Sequence, residues 1–249
     1  MTKDYFSIYN KHYERISTIP NYQDIRANPE RHKLQEAWLP EKLDAKILDI
    51  GCGWGTLLLS LWTNGYRNLI GVDISKSMYE VARRVLPDEI TIVSADGLEF
   101  LKNVKYQYDL ITIFDFIEHM TVDRAYELLK ECHEKLAPKG SVVIKTGNMI
   151  NIFSASARYI DITHQQGYTE WSLFQLLDNA GFQHHRVIKS KIFSYDNWKR
   201  HRTLFRPWCG LGLRKLLNTI VHKVLFALQG QNLSPSTYSI NLIVQSWKE

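Results

Sequence analysis

The stretch Lys46-Ile-Leu-Asp-Ile-Gly-Cys-Gly-Trp-Gly55 decides the architecture. Lys46 to Ile50 reads as a short buried strand, and it runs directly into glycines at 51, 53 and 55. A helical run follows from Thr56 to Asn64, with Gly65 as its C-cap. Strand, glycine-rich turn and helix together let a backbone approach a ligand closely and point unpaired N–H groups at it. That is how a fold cradles a nucleotide-like molecule. Asn68-Leu-Ile-Gly-Val-Asp73 supplies a second strand ending in a carboxylate, which can accept both hydroxyls of a ribose as in dinucleotide-binding folds. The glycines, however, are spaced i, i+2, i+4 rather than G-x-G-x-x-G. Asp49 just before the turn would repel a pyrophosphate and suits the amino group of a zwitterionic ligand.

Asp49 to Gly55, D-I-G-C-G-W-G, resembles the first motif of class I S-adenosylmethionine (SAM)-dependent methyltransferases. Further motifs agree in order, over about residues 45–190. Asp73, with Ile74 beside it, matches the ribose-binding acid after the second strand. Ala95-Asp96-Gly97 matches the loop that binds the adenine amino group, and Tyr108 to Met120 resembles the fourth strand and the loop beside the reactive methyl, with Phe114 and Asp115 at its turn. Leu136-Ala-Pro-Lys-Gly140 resembles the turn into strand five. The resemblance implies SAM as cofactor, held by Asp49, Gly51, Cys52, Gly53, Gly55, Asp73, Ile74, Asp96, Gly97, Phe114 and Asp115. The competing reading is a doubly wound domain that binds no cofactor.

Strands and helices alternate along the chain: helix 76–86, strand 90–94, helix 121–136, strand 141–146, a helix from Thr169 to Ala180, strand 183–190 and strand 238–247. Alternation of this kind predicts a Rossmann-like, seven-stranded, mostly parallel sheet with helices on both faces. By resemblance, the last strand runs antiparallel between strands five and six. The expected organisation is a helical lid over 1–40, a SAM-binding core over 41–190, a basic amphipathic insertion over 191–236 and the final core strand over 237–249. With 45% hydrophobic residues in 249, the chain can bury one sizeable core. It has no apolar run near the ~18 residues of a membrane span and no signal-peptide pattern. Cysteines 52, 132 and 209 are few and scattered, which suits a reducing cytoplasm.

Charge is uneven. Residues 184–230 hold ten Lys or Arg against Asp196 alone, a net of +9 in a chain of net +5. Leu213, Leu216, Leu217, Ile220, Val221, Val224, Leu225 and Leu228 fall on one helical face, and Arg214, Lys215, Asn218, Thr219, His222 and Lys223 on the other. One reading packs the apolar face on the domain and leaves the basic face in solvent. The other makes the region, over 200–228, a docking surface for an anionic acceptor or the anionic inner face of a membrane. Phe193, Tyr195, Trp198, Phe205 and Trp208 interleave with the charges, either as core or as stacking platforms.

Methyl transfer from a sulfonium needs the acceptor atom close, aligned and dry, and a base when that atom belongs to an alcohol. Glu118 and His119, just after strand four, are placed for this; otherwise His119 merely holds its loop. Arg158-Tyr-Ile-Asp-Ile-Thr-His-Gln resembles the D-x-T-H stretch of methyltransferases of bacterial surface-glycan biosynthesis. There His164 can be base or acceptor ligand and Asp161 its orienter, unless Asp161 and Thr163 simply hold a turn. No Asn-Pro-Pro-Tyr loop follows strand four, and the histidines lack zinc-ligand spacing, so no metal is expected. The expected activity is O-methylation of a glycan, phosphoglycan or small anionic metabolite. Alternatives are a prenylated quinone or lipid precursor as acceptor, or an RNA-binding protein that retains the fold, although nucleic acid is the less expected partner.

Overall fold

The computed structural model describes residues 9–16, 23, 34, 36–189, 211–228 and 235–248. Its centre is a seven-stranded sheet of β1 (Lys46–Ile50), β2 (Asn68–Asp73), β3 (Thr91–Ser94), β4 (Tyr108–Phe114), β5 (Leu136–Gly147), β6 (His184–Val187) and β7 (Asn241–Trp247). The spatial order is β3-β2-β1-β4-β5-β7-β6. β3, β2, β1, β4 and β5 are parallel, and β7 enters antiparallel between β5 and β6. Ile47, Leu48 and Ile50 are fully buried because a parallel strand covered on both faces needs apolar residues on both sides of its pleat.

The helices are α1 (Tyr9–Ile16), α2 (Thr56–Thr63), α3 (Lys76–Val85), α4 (Gly97–Asn103), α5 (Val122–Lys135), α6 (Ala155–Tyr159), α7 (Glu170–Asn179) and α8 (Leu211–Leu228). They divide the core in two. Leu98, Leu128, Leu129, Leu173 and Leu177 from α4, α5 and α7 pack on Leu48, Ile50 and Ile111. Leu58, Leu59, Met78 and Ala82 from α2 and α3 pack with Ile47, Leu69 and Leu110. Caps fix the helix starts: Ser75 accepts from Met78 N, Thr121 from Arg124 N, and Thr169 forms a reciprocal box with Ser172.

The expected elements are present with shifted ends. β5 begins at Leu136 rather than 141, across a register shift opposite Tyr108 and Leu110. β6 is cut to four residues, since its pairing with β7 ends at Val187. β7 starts at Asn241, three residues later than the alternation suggested.

The packing of α8 overturns the first reading of the basic insertion. His222, assigned to the outward polar face, is fully buried. Its ring donates through Nδ1 to the Asn218 carbonyl at 2.7 Å and accepts the Ile152 amide on Nε2 at 3.0 Å. Asn218 reaches the Tyr238 carbonyl at 2.7 Å, and Phe226 packs near the Tyr238 ring. The helix therefore docks by a polar pair at i and i+4, Asn218 and His222, with Phe226 one turn on, because the irregular segments beneath it carry backbone groups that need partners. Leu216, Leu217, Ile220, Val221, Val224 and Leu228 point outward. Arg200, Arg202, Arg206, Cys209 and the aromatics 193–208 lie outside the described residues, as does most of the expected lid over 1–40.

Candidate active site

The site lies at the carboxyl ends of the parallel strands, and it has a cofactor half and an acceptor half. In the first, the turn after β1 rises in left-handed steps. Gly51 has φ +73°, and a Cβ there would stand 2.4 Å from Phe116 Cδ2; Gly53 has φ +52°, with no atom within 4 Å of where its Cβ would be. The first glycine is thus required by packing, and the second leaves its backbone bare beside the cleft. The Gly53 amide donates to Asp73 Oδ2 and the Ser75 amide to Oδ1, both at 2.8 Å. Asp73 is poised but not free of charge cost: burial pushes its pKa up, against those two N–H bonds.

Asp49 sits deeper than the sequence implied. It is 3% exposed, and its Oδ1 accepts the Thr112 hydroxyl at 2.7 Å. Burial, opposed by the Thr112 bond and reinforced by Asp73, raises its pKa to about 7. Cys52 is buried, and its thiol pKa is pushed up by that burial and by Asp73 and Asp49. A Cβ on Gly55 would strike Leu86, and one on Gly97 would strike Ile50, so both glycines serve close packing. Ile74 is exposed beside Asp73. Asp96 caps α4 through Oδ1, accepting from the Leu98 and Glu99 amides, while Oδ2 pairs with Arg124 at 2.6 Å. Phe114 meets Trp38 edge-on at 5.8 Å. Asp115, at φ +50°, is ion-paired with Lys145. A non-glycine residue held in the left-handed region directly after β4 is the kind of strain that gathers at functional turns. An open glycine backbone beside a carboxylate, each of whose oxygens accepts one N–H and keeps a second lone pair, fits an adenosyl ligand with a ribose diol.

The acceptor half joins the Ile117–His119 turn to the 158–166 loop. The Gln165 and Gln166 amides donate to the Glu118 carbonyl at 2.7 and 3.1 Å, and Gln165 Nε2 donates to the His119 carbonyl at 2.8 Å. Arg158 anchors the loop from outside through the His164 and Gln165 carbonyls. The result brings His119, Asp161 and His164 together, as their placement after β4 and β5 suggested. The His119 and His164 rings meet edge-on at 4.6 Å.

Proton accounting fixes the roles. Asp161 is 3% exposed. Burial alone would raise its pKa, but the Thr163 hydroxyl and amide and the Tyr9 hydroxyl hold it below the usual carboxylate range, with His119 adding to the effect. An ionised carboxylate only accepts, so the single Thr163 hydroxyl proton goes to Asp161 Oδ1, 2.7 Å away. The 2.8 Å contact between Thr163 Oγ1 and His119 Nδ1 then carries the imidazole proton. This contact favours the Nδ1–H tautomer of neutral His119. Burial, then the neighbouring His164, lowers its pKa to about 4 against the pull of Asp161 and Asp115 and a hydrogen bond to the Thr163 backbone.

Glu118 is buried and accepts from Thr146 Oγ1 at 3.0 Å. Burial and Asp115 raise its pKa to about 7. α1 closes the other side: Tyr9 Oη donates to Asp161 Oδ2 at 2.7 Å, and His12 Nε2 lies 3.2 Å from the same oxygen. His119, Asp161 and His164 each offer a ligand atom within 4.8 Å of the others, a proximity that sequence spacing did not reveal. Both Asp161 oxygens, however, already accept from Thr163 and Tyr9. Tyr9, His12, Thr112, Lys145 and Thr146 were not singled out by sequence. Only Thr163 left a trace, as a turn residue, because its relay role depends on a partner 44 residues away.

Residues 47–140 match the protein family described as methyltransferase domain. The chain is 27% identical over 161 residues to an uncharacterized methyltransferase of Oceanobacillus iheyensis, covering 65% of this chain and 71% of that one. It is 26% identical over 190 residues to a ubiquinone biosynthesis O-methyltransferase of Coxiella burnetii, covering 68% and 80%. Its fold matches a SAM-dependent methyltransferase from Archaeoglobus fulgidus with a TM-score of 0.60, 20% identity and coverage of 98% and 100%. It also matches magnesium protoporphyrin IX methyltransferase from Synechocystis with bound SAM, at a TM-score of 0.53, 15% identity and coverage of 98% and 93%.

Proposed function

We propose that the chain is a SAM-dependent methyltransferase that methylates a hydroxyl oxygen of a small acceptor, its residues 47–140 matching a methyltransferase domain. The observation that carries this reading is the hydrogen-bonded series His119–Thr163–Asp161. It holds a neutral His119 ring among Thr163, Asp161 and His164, where it can take a proton, and a hydroxyl acceptor has one to lose. When bound, SAM would supply its sulfonium methyl group to the acceptor oxygen, with neutral S-adenosylhomocysteine as the leaving group.

The chain's own residues supply the rest. Asp73 and the Gly53 turn hold the ribose end, and Asp49, under the turn, favours the cationic amino group of the ligand. Asp96 holds the adenine edge, with its second oxygen shared with Arg124. His119 Nε2 takes the acceptor proton, Thr163 and Asp161 hold the ring, and His164 lines the same wall. α1 excludes water through the Tyr9–Asp161 bond.

Two acceptor classes remain from the sequence, a glycan or anionic metabolite and a prenylated quinone or lipid precursor. The exposed side chains of Tyr159, Ile160 and Ile162 border Asp161 and Thr163, which favours the apolar class. Relatives that act in ubiquinone biosynthesis support the same choice. Cytoplasmic action, at the inner face of a membrane, follows from that reading.

The test is a screen of hydroxylated acceptors with methyl-labelled SAM, amphipathic phenols beside glycans, followed by His119→Ala. Oxygen-methylated product is expected, with turnover in the variant reduced by ~10²–10⁴ and SAM affinity retained. Product labelled at nitrogen or carbon, or full activity in the variant, overturns the reading.

A further inference from the structure

The outward face of α8 presents Leu216, Leu217, Ile220, Val221, Val224 and Leu228 to solvent, with Leu228 79% exposed. The seam opposite, Asn218 and His222, fixes this face outward rather than leaving it to rotate. His222 also joins α8 to Ile152, the start of the segment that ends at the acceptor wall. In that segment Tyr159 is 81% and Ile162 84% exposed. Ile162 stands directly between Asp161 and Thr163, so apolar exposure reaches the site itself. Scattered exposed apolar residues are ordinary, but this many on one helix and its neighbour mark a contact surface.

Charge chooses the occupant. α8 itself carries Arg214, Lys215 and Lys223 and no acid, and Lys223 is exposed. A second copy would bring one basic helix against another; an anionic lipid surface complements it. No helix among the described residues is long and apolar enough to cross a membrane. An 18-residue helix with an exposed apolar face and three Lys or Arg without an acid suits the plane of the interface instead.

We infer that α8 is an interfacial helix that seats this enzyme on an anionic lipid leaflet, with the 152–162 segment and the mouth of the acceptor site turned toward the lipid. The acceptor reached this way is amphipathic, its tail left in the leaflet and its hydroxyl head carried to His119. This last point rests on the O-methylation reading; the docking itself does not.

Vesicle co-sedimentation of the full chain tests it without any acceptor. Wild type is expected to pellet with phosphatidylglycerol-containing vesicles, weakly with pure phosphatidylcholine, and less as salt rises. Leu217→Asp and Val221→Asp are each expected to lower partitioning about tenfold or more, and Lys223→Glu about tenfold. Thermal midpoint and SAM affinity should stay at wild-type values, because the replaced side chains support neither core nor cofactor site. Wild type remaining in the supernatant with anionic vesicles overturns the inference, as does binding indifferent to all three substitutions. Concentration-dependent dimerisation abolished by Leu217→Asp, without vesicle binding, would assign the face to a second copy and also overturn it.

Discussion

A buried carboxylate at Asp49 makes cofactor binding depend on pH. Its pKa of about 7 lies above that of an unfolded aspartate, so the native state binds the extra proton between about 4 and 7. Stability from this group is therefore full below the unfolded value and is lost as pH rises through 7. Asp49→Asn keeps an acceptor for the Thr112 hydroxyl and removes the titration. Its thermal midpoint is expected to gain on wild type by several degrees between pH 5 and 8, while its SAM affinity falls. An equal midpoint difference at both pH values in thermal scans would show that Asp49 does not titrate there. Asp73→Ala removes the acceptor of two backbone N–H groups and of the proposed ribose contact, each charged hydrogen bond contributing roughly 1.5–3 kcal/mol. Calorimetry should then detect little SAM binding; wild-type affinity would remove the assignment.

At the scale of elements, the strand–turn–helix over 46–63 was legible because its signals are local: apolar run, glycines, helix. Gly51→Ala is expected to fail there twice, through a left-handed φ costing about 1–2 kcal/mol and through collision with Phe116. A lower midpoint and lost SAM binding are the readouts, and a normal midpoint would contradict the packing account. The acceptor wall was legible only in part. Asp161 and His164 share one motif, but Tyr9 meets Asp161 across 152 residues, and nothing in Tyr9's neighbours marks that meeting. Tyr9→Phe should loosen α1, raising the acceptor KM more than it alters SAM binding. Unchanged acceptor kinetics would mean that α1 does not close the site. The orientation of α8 stayed open between two readings because periodicity finds two faces but does not say which is buried. Here backbone amides needing a partner drew His222 inward.

Across the whole molecule, the strand order followed from alternation and resemblance, since crossover helices leave a parallel sheet few topologies. Side-chain protonation did not follow, because it depends on burial and on partners brought from different loops. SAM at a hundredfold excess over its Kd should stabilise the whole fold by about 2.7 kcal/mol, read as an upward shift in Tm. An unshifted Tm in wild type would contradict a preformed site. The same measurement in His119→Ala should give the wild-type shift, since that residue belongs to the acceptor half.

The most direct test of the proposed base is long-range proton–nitrogen NMR of the histidine side chains across a pH titration. The His119–Thr163–Asp161 series predicts that His119 is the Nδ1–H tautomer and stays neutral down to about pH 4, and that Thr163→Val abolishes the tautomer preference. An Nε2–H tautomer for His119, or ordinary titration near 6.5, would contradict it.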